Sequence, residues 1–270
     1  MEEYIKVKHS YNAGDAIVLM CGLKQLWKDT GKKIQLFQRL DLPAFFYDGQ
    51  VNSTTDANGQ SVCMNQNMYS MIRPLIESQE YISSFDIWEG QDVDLTMDIT
   101  RDSRSIPMPN SPLSVWNEAL FPQFSTDLSV AWLKVENQSE KKGYYKDKII
   151  INRSQRYNNP YVTFYFLKEH EDKILFSGTE AEHSFFCTQW GLKLEKITVD
   201  NFYQLAQIIS WCKFGIYNQS MHFHISDALK KPRILELCGQ FANTFVTGAN
   251  GMQFYHESAL QYHFHKLLNK

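Results

Sequence analysis

The stretch that decides the fold spans residues 200–238 and reads DNFYQLAQIISWCKFGIYNQSMHFHISDALKKPRILELC. Apolar residues recur at helical spacing from Leu205 to Cys212, and a short apolar strand follows, which ends at the polar turn 218–220. A second helical pattern begins after this turn and stops before Pro232, where another apolar run starts. This alternation of helices and strands predicts an α/β unit with a parallel sheet.

The start of the helix after the 218–220 turn is a candidate ligand site. In parallel sheets, ligands bind at the carboxyl ends of the strands, where the next helix offers unpaired N–H groups and a partial positive charge. Ser220 and His224 lie one helical turn apart at this point. We therefore expect Ser220 and His224 to bind an anion such as phosphate.

Residues 217–232, YNQSMHFHISDALKKP, resemble the motif GNDSGPMHLAAALGKP of the ADP-heptose:lipopolysaccharide heptosyltransferase family. The matching residues are Asn218, Ser220, His224, Ala228, Leu229, Lys231 and Pro232. Gln219 replaces an acid of the motif, and Met221 replaces a glycine. The resemblance implies a GT-B fold, in which two Rossmann-like domains face each other across a cleft. It also makes Asn218 and Gln219 candidate donor-binding residues.

The beginning of the chain predicts another β/α unit. A first strand is followed by the polar loop 9–15, HSYNAGD, and by an amphipathic helix. This order resembles the N-terminus of the same family, where the pattern G-D-x-x-x-x-x-P-x-L-x-x-L follows the first strand. Gly14, Asp15, Leu23 and Leu26 fit that pattern, although the proline is missing. By resemblance, Asp15 would be the general base that deprotonates the acceptor hydroxyl, and Gly14 would lie at the substrate site.

Two interpretations of Asp15 are open. Inverting glycosyl transfer requires a carboxylate within hydrogen-bond reach of the attacking hydroxyl, and a residue after the first strand can meet that need. The alternative is structural, because Asp is a favoured N-cap residue and Asp15 directly precedes the helix predicted over 16–27.

Two arginines follow the apolar strand at 149–151, in the loop 152–157 with the sequence NRSQRY. Guanidinium groups donate paired hydrogen bonds to phosphate and stay charged. In the resembled family a basic residue after this strand contacts the donor diphosphate, so Arg153 and Arg156 are the candidates for that role. The alternative is that they are surface arginines ion-paired to acids.

The loop after the next predicted strand contributes two further candidates. Gly178 and Glu180 lie where the resembled family has a glycine and an acid, close to the base and the ribose of the nucleotide. We therefore include both as candidate donor-site residues. Thr179 and Glu182 have the spacing of a capping box, which predicts that a helix begins here.

Composition argues against several classes of function. The net charge of −3 and the pI near 6.2 give no strong nucleic-acid signal. The five cysteines lack C-x-x-C spacing, which indicates neither a zinc site nor a disulfide framework, and we expect a cytoplasmic location. No run reaches the roughly 20 apolar residues of a transmembrane segment.

The length of 270 residues suits two small α/β domains. A proline-rich tract at 101–112 and a charged tract at 136–148 form a natural linker region. We place the domain boundary near Asn137, so that residues 1–137 form the acceptor-side domain and residues 138–270 form the nucleotide-sugar donor domain.

The sequence therefore predicts an inverting, metal-independent glycosyltransferase that needs no cofactor and resembles enzymes of heptosyl or hexosyl transfer. It would move a sugar from a nucleoside-diphosphate sugar to a hydroxyl group of a glycan or another acceptor. The departures at Gln219 and Met221 leave open a degenerate GT-B module that binds a nucleotide sugar or a partner without catalysis. A third hypothesis is an epimerase of the same fold. No residue identifies the nucleotide, the sugar or the acceptor.

Overall fold

The computed structural model of this chain describes residues 3–44, 52, 54–98, 112–136, 140–239 and 243–270. The first half contains β1 (Ile5–His9), α1 (Ala13–Thr30), β2 (Ile34–Gln38), α2 (Gln66–Glu77), β3 (Ile82–Ile87), β4 (Leu95–Thr96) and α3 (Leu113–Leu120). The second half contains α4 (Lys142–Tyr145), β5 (Ile149–Asn152), β6 (Ile174–Ser177), α5 (Glu180–Trp190), β7 (Glu195–Ile197), α6 (Phe202–Trp211), β8 (Phe214–Tyr217), α7 (Met221–Ala228), β9 (Arg233–Glu236), β10 (Gly251–Phe254) and α8 (Glu257–Leu268).

These strands form two parallel sheets. The first sheet has the order β3-β2-β1-β4, and the second has the order β10-β9-β8-β5-β6-β7. Each pairing in both sheets is parallel, so each pair of neighbouring strands requires a crossover connection. The α/β class predicted from residues 200–238 is confirmed.

The second sheet is covered on both faces, as a parallel sheet requires. Successive side chains of β5 alternate between the two sides. Ile149 and Ile151 join the cluster that includes Phe176 and Phe264, whereas Ile150 joins the larger cluster that continues into the first half of the chain. Among the described residues, no helix combines the length and the apolar character that crossing a membrane requires.

Helix α1 is buried on nearly all sides. The consecutive residues 16–23 are all buried, which a helix with one solvated face would not allow. The reason is that α1 packs between the first sheet and α7 of the second half. The sequence predicts a helix over 16–27, but α1 begins three residues earlier at Ala13 and ends at Thr30. Gly31, which follows it, adopts the left-handed conformation with φ 70°.

Trp132 ties the two halves together. Its indole N–H donates to the carbonyl of Ile17 in α1 at 2.9 Å, and its backbone N–H donates to the carbonyl of Ala228 in α7 at 3.1 Å. The Lys230 ammonium lies 4.4 Å from the centre of the indole ring, within the range of a cation–π contact. Asn137 and residues 101–111 lie outside the described residues, so the domain boundary near Asn137 stays a prediction.

Candidate functional site

A cavity of about 840 Å³ lies at the carboxyl ends of strands from both sheets. Its walls come from the segments that follow β1, β5, β6, β7, β8 and β9, and from helix α2. Open α/β sheets bind ligands at this edge, and a cavity of this volume is of the size that small-molecule ligands occupy. The cavity therefore defines the candidate site.

The N-terminus of α7 opens into the cavity. Ser220 precedes the first helical residue, and its side-chain oxygen is buried without a hydrogen-bond partner among the described residues. The N–H of His224 donates to the Ser220 carbonyl at 3.2 Å and makes the first hydrogen bond of the helix. The N–H groups of residues 221–223 precede it, so they have no acceptor within the helix. These donors and the helix dipole together create a site suited to an anion.

The N-termini of α1 and α7 meet at Gly14 and His224. A Cβ atom at Gly14 would lie 2.9 Å from Cδ2 of His224 and 3.8 Å from Cα of Met221. Real Cβ atoms do not approach a neighbour that closely, so the helices can pack in this way because Gly14 has no side chain. Both Gly14 and His224 line the cavity, and His224 is 8% exposed.

Asp15 belongs to the cap of α1 and also lines the cavity. The N-cap residue of α1 is Asn12, so the structural alternative in which Asp15 is the N-cap is wrong. The backbone N–H and the side-chain amide of Asn12 each donate to Oδ2 of Asp15 at 3.2 Å. These hydrogen bonds are of the capping-box type and orient the carboxylate of Asp15. Asp15 therefore stabilises the start of α1 and also lines the cavity.

Arg153 points away from the cavity. Its Nε and Nη2 atoms donate to the two carboxylate oxygens of Glu236, each at 2.8 Å, and Nη2 also donates to the carbonyl of Asn159. Both side chains of the pair are almost fully buried. The guanidinium of Arg153 therefore anchors its loop to β9, and we do not assign it a ligand contact. The alternative was right that Arg153 forms an ion pair and wrong that it lies at the surface.

Arg156 lines the cavity, and hydrogen bonds from Asn218 hold the loop around it. Asn218 is buried and does not line the cavity; its amide donates to the carbonyls of Arg156 at 2.6 Å and Ser154 at 3.1 Å. Tyr157 adopts the left-handed region with φ 55°, a strained conformation for a bulky residue. Asn218 thus positions the loop that presents Arg156, while Arg156 itself also donates to Asn52 at 3.3 Å.

Of the two candidates that follow β6, Gly178 lines the cavity and Glu180 does not. Gly178 lines the cavity, and a Cβ there would lie 2.8 Å from Oε2 of Glu182. Glu180 is exposed and does not line the cavity, and its carboxylate pairs with the ammonium of Lys196 at 2.9 Å. The capping box predicted for Thr179 and Glu182 is confirmed, with Thr179 N–H donating to Glu182 at 2.8 Å.

Gln219 joins α7 to the segment that follows β9. Its side-chain oxygen accepts from the backbone N–H of Cys238 at 3.1 Å, and its Nε2 donates to Oδ1 of Asn243 at 2.9 Å. Thr244 also donates to Oδ1 of Asn243, at 3.2 Å. Gln219, Asn243 and Thr244 all line the cavity, so this wall is a network of uncharged amide and hydroxyl groups.

Several residues of the cavity wall are absent from the sequence-based candidates. Asn152 and Ser177 end β5 and β6, and the carbonyl of Ser177 accepts from Nδ2 of Asn152 at 2.7 Å. Oδ1 of Asn152 is buried without a partner among the described residues. His222 lies 2.9 Å from the Ser177 hydroxyl, and burial lowers the pKa of His222 to about 3. A polar residue that directly ends a predicted strand was the available signal for Asn152 and Ser177.

In the parts of the chain that the structure describes, no group of three or more His, Cys, Asp or Glu side chains could hold a metal ion. The charged groups at the cavity wall include Asp15, Arg156, Glu182 and Lys196.

No protein-family model and no curated protein matches the sequence, but solved structures match the fold. A glycosyl transferase family 9 structure from Veillonella parvula DSM 2008 has 13% identity and a TM-score of 0.59, over 94% of this chain and 88% of that chain. The E. coli ADP-heptose LPS heptosyltransferase II has 11% identity and a TM-score of 0.60, over 99% of both chains. The E. coli heptosyltransferase WaaC with ADP-2-deoxy-2-fluoro heptose has 8% identity and a TM-score of 0.57, over 98% of this chain and 99% of that chain.

At such low identity these similarities establish the fold and leave the reaction open. The chain has the GT-B fold, with two Rossmann-like parallel sheets. The fold that the motif at 217–232 implied is confirmed.

The contact between Gly14 and His224 makes a testable prediction. Gly14→Ala should lower the melting temperature and weaken binding of any anion at α7, because the added methyl group must separate the two helix N-termini; overpacking of this kind typically costs about 1–3 kcal/mol. Thermal unfolding measures the effect. Gly143→Ala is the matched control, since Gly143 lies in a helix and a Cβ there meets no atom within 4 Å. Equal melting temperatures for Gly14→Ala and the wild type would contradict the packing argument.

Proposed function

We propose that this protein is a glycosyltransferase that moves a sugar from a nucleoside-diphosphate sugar to a hydroxyl group, with inversion at the anomeric carbon and without a metal ion. The observation that carries the proposal is a single cavity that joins the α7 N-terminus, the guanidinium of Arg156 and the carboxylate of Asp15. The similar solved structures support it, because they are a glycosyl transferase of family 9 and two heptosyltransferases, one of them with ADP-2-deoxy-2-fluoro heptose.

The diphosphate of the donor would bind at the start of α7. The Ser220 hydroxyl and the N–H groups of residues 221–223 can donate hydrogen bonds to phosphate oxygens, and the helix dipole favours their negative charge. Arg156 adds a permanent cation to the same cavity. This set of donors supplies positive potential to a leaving diphosphate from the chain's own groups.

The transfer itself would be a single displacement. The acceptor hydroxyl oxygen attacks the anomeric carbon, Asp15 takes the hydroxyl proton, and the bond from the anomeric carbon to the diphosphate oxygen breaks. The diphosphate leaves with the bonding electron pair, and attack from the opposite side inverts the configuration. Burial lowers the pKa of His222 to about 3, which favours the neutral imidazole at this point of the cavity wall. The leaving group would depart as an anion held by α7 and Arg156.

Gln219 supports a second candidate, the binding module without catalysis. It stands where the resembled motif has an acid, and its amide is engaged by Asn243 and by the backbone of Cys238. A module would bind nucleoside diphosphates but would not transfer sugar. An epimerase of this fold would instead release a free or altered sugar from the donor.

The donor site can be tested with the two arginines. Arg156→Ala should raise the Kd for nucleoside diphosphates about 10- to 100-fold, since a hydrogen bond to a charged group is worth about 1.5–3 kcal/mol. Calorimetric titration with ADP, UDP, GDP and CDP measures this. Arg153→Ala is the counterpart: it should lower the melting temperature, because it leaves the buried carboxylate of Glu236 without its cation. Unchanged nucleotide affinity in Arg156→Ala would argue against the diphosphate site.

The base can be tested with Asp15→Asn. This variant should slow sugar transfer about 10²- to 10⁴-fold and leave the donor Kd within twofold, because asparagine cannot accept the proton but can still accept the hydrogen bond from Asn12. The readout is nucleoside diphosphate released from the best-bound donor sugar in the presence of saccharide acceptors. Asp29→Asn, an exposed site near the other end of α1, is the control. Retention of more than a tenth of the wild-type rate in Asp15→Asn would exclude its role as base.

A further inference from the structure

The end of α7 carries a buried group of charged side chains outside the cavity. Asp227 is 3% exposed and Arg233 is fully buried, and Nε of Arg233 donates to the Asp227 carboxylate at 2.6 Å. The ammonium of Lys230 lies 3.5 Å from the same carboxylate and donates to the Thr247 hydroxyl at 2.6 Å. None of these four residues lines the cavity. We refer to Asp227, Lys230, Arg233 and Thr247 as the junction network.

Two members of the junction network depart from the motif that residues 217–232 resemble. The motif has alanine at the position of Asp227 and glycine at that of Lys230. Lys230 nevertheless adopts the left-handed conformation with φ 54°, which is unfavourable for residues other than glycine. Asp227 and Lys230 also contact each other, so the two departures belong to one feature of the structure. A lysine held in a conformation that favours glycine indicates a role for its ammonium group.

The ammonium of Lys230 also reaches the first half of the chain. It lies 4.4 Å from the centre of the Trp132 indole ring, and the ring N–H donates to the carbonyl of Ile17 in α1 at 2.9 Å. The hydroxyl of Tyr81 donates to the carbonyl of Trp132 at 2.8 Å. The indole ring therefore contacts a cation of the second half and the backbone of α1 at the same time. Asp15 lies in the first turn of that helix.

We infer that Lys230 is a positioning residue for sugar transfer. Its cation holds Trp132, and Trp132 holds α1, so the contact fixes the carboxylate of Asp15 relative to α7. The inference rests on the proposed function for the role of Asp15, whereas the contact between the two halves rests on geometry alone. The proposed diphosphate site is built from the second half, so donor binding would not depend on Lys230.

The charge of Lys230 depends on the groups around it. Burial lowers the pKa of Lys230 to about 8, although the Asp227 carboxylate opposes this shift, and the Arg233 guanidinium adds to it. The Cys21 thiol of α1 and the exposed carboxylate of Asp127 also interact with Lys230 electrostatically. Below this pKa the side chain carries the charge that a cation–π contact requires, and above it the charge is lost. The positioning effect should therefore weaken as the pH rises through about 8.

The experiment compares the wild type with Lys230→Met, which removes the charge and keeps an unbranched side chain. We expect kcat for sugar transfer to fall about tenfold, because a small displacement of a reacting group slows the chemical step. The Kd for whichever of ADP, UDP, GDP and CDP binds the wild type most tightly should change less than twofold. Asp227 keeps Arg233 as its partner, so the variant should fold.

The junction is measured separately from the reaction. Nuclear magnetic resonance follows the exchange of the Trp132 indole N–H with solvent, which should become about tenfold faster in Lys230→Met, because the ring loses the cation that holds it. Trp132→Phe identifies the signal. Lys28→Met is the matched control, since Lys28 is an exposed lysine in the last turn of α1, and it should change neither kcat nor the exchange rate.

The pH dependence of kcat tests the charge itself. The wild-type kcat should fall as the pH rises through about 8, where Lys230 loses its proton. Lys230→Arg should retain most of the activity at pH 7 and should lack this decrease, because a guanidinium stays charged. The same decrease in Lys230→Arg as in the wild type would assign the titration to another group and would contradict the role of the Lys230 charge.

Unchanged exchange of the Trp132 indole N–H in Lys230→Met would overturn the inference. A donor Kd that rises as much as kcat falls would also overturn it, because Lys230 would then act on the donor site of α7. A wild type that transfers no sugar would refute the proposed function, and the positioning role would fall with it. That result differs from a wild type and a Lys230→Met variant that transfer sugar equally fast, which would refute the role of Lys230 alone.

Discussion

The candidate site depends on the close contact between the N-termini of α1 and α7. Each helix follows a strand of its own sheet, so their meeting brings the carboxyl edges of the two sheets together. Gly14 permits that contact, because any side chain there would collide with His224. As a result, Asp15 from the first half and the N-terminus of α7 from the second half line one cavity. Trp132 reinforces the same junction by hydrogen-bonding to both helices.

The arginines of the second half differ in burial and in their position relative to the cavity. Arg153 and Arg233 are both buried, and each is neutralised by a carboxylate: Glu236 pairs with Arg153 at 2.8 Å, and Asp227 accepts from Arg233 Nε at 2.6 Å. A buried cation without such a partner would cost several kcal/mol. Arg156 is on the cavity wall instead, presented by a loop that Asn218 fixes. The residues of the motif at 217–232 thus have two kinds of role. Some, such as Asn218, hold a neighbouring loop in place, and others, such as Ser220, line the cavity.

Local signals in the sequence were sufficient to predict the α/β class and the first turn of α7, whereas the GT-B fold came from the resemblance of the motif at 217–232. The alternation of elements, the turn before Ser220 and the capping box of Thr179 with Glu182 all involve residues within a few positions of one another. The choice between Arg153 and Arg156 could not be made this way, because the partner of Arg153 is Glu236, 83 residues further along the chain. The start of α1 was misplaced because Ala13 and Gly14 lie in a polar loop sequence that gives little helical signal.

A crystal structure of the protein with the tightest-binding nucleoside diphosphate would test whether the start of α7 binds a diphosphate where the two halves meet. We expect phosphate oxygens within hydrogen-bond distance of the Ser220 hydroxyl and of the N–H groups of residues 221–223. A nucleotide whose phosphates lie elsewhere, with none of these groups in contact with them, would rule out the diphosphate site at α7.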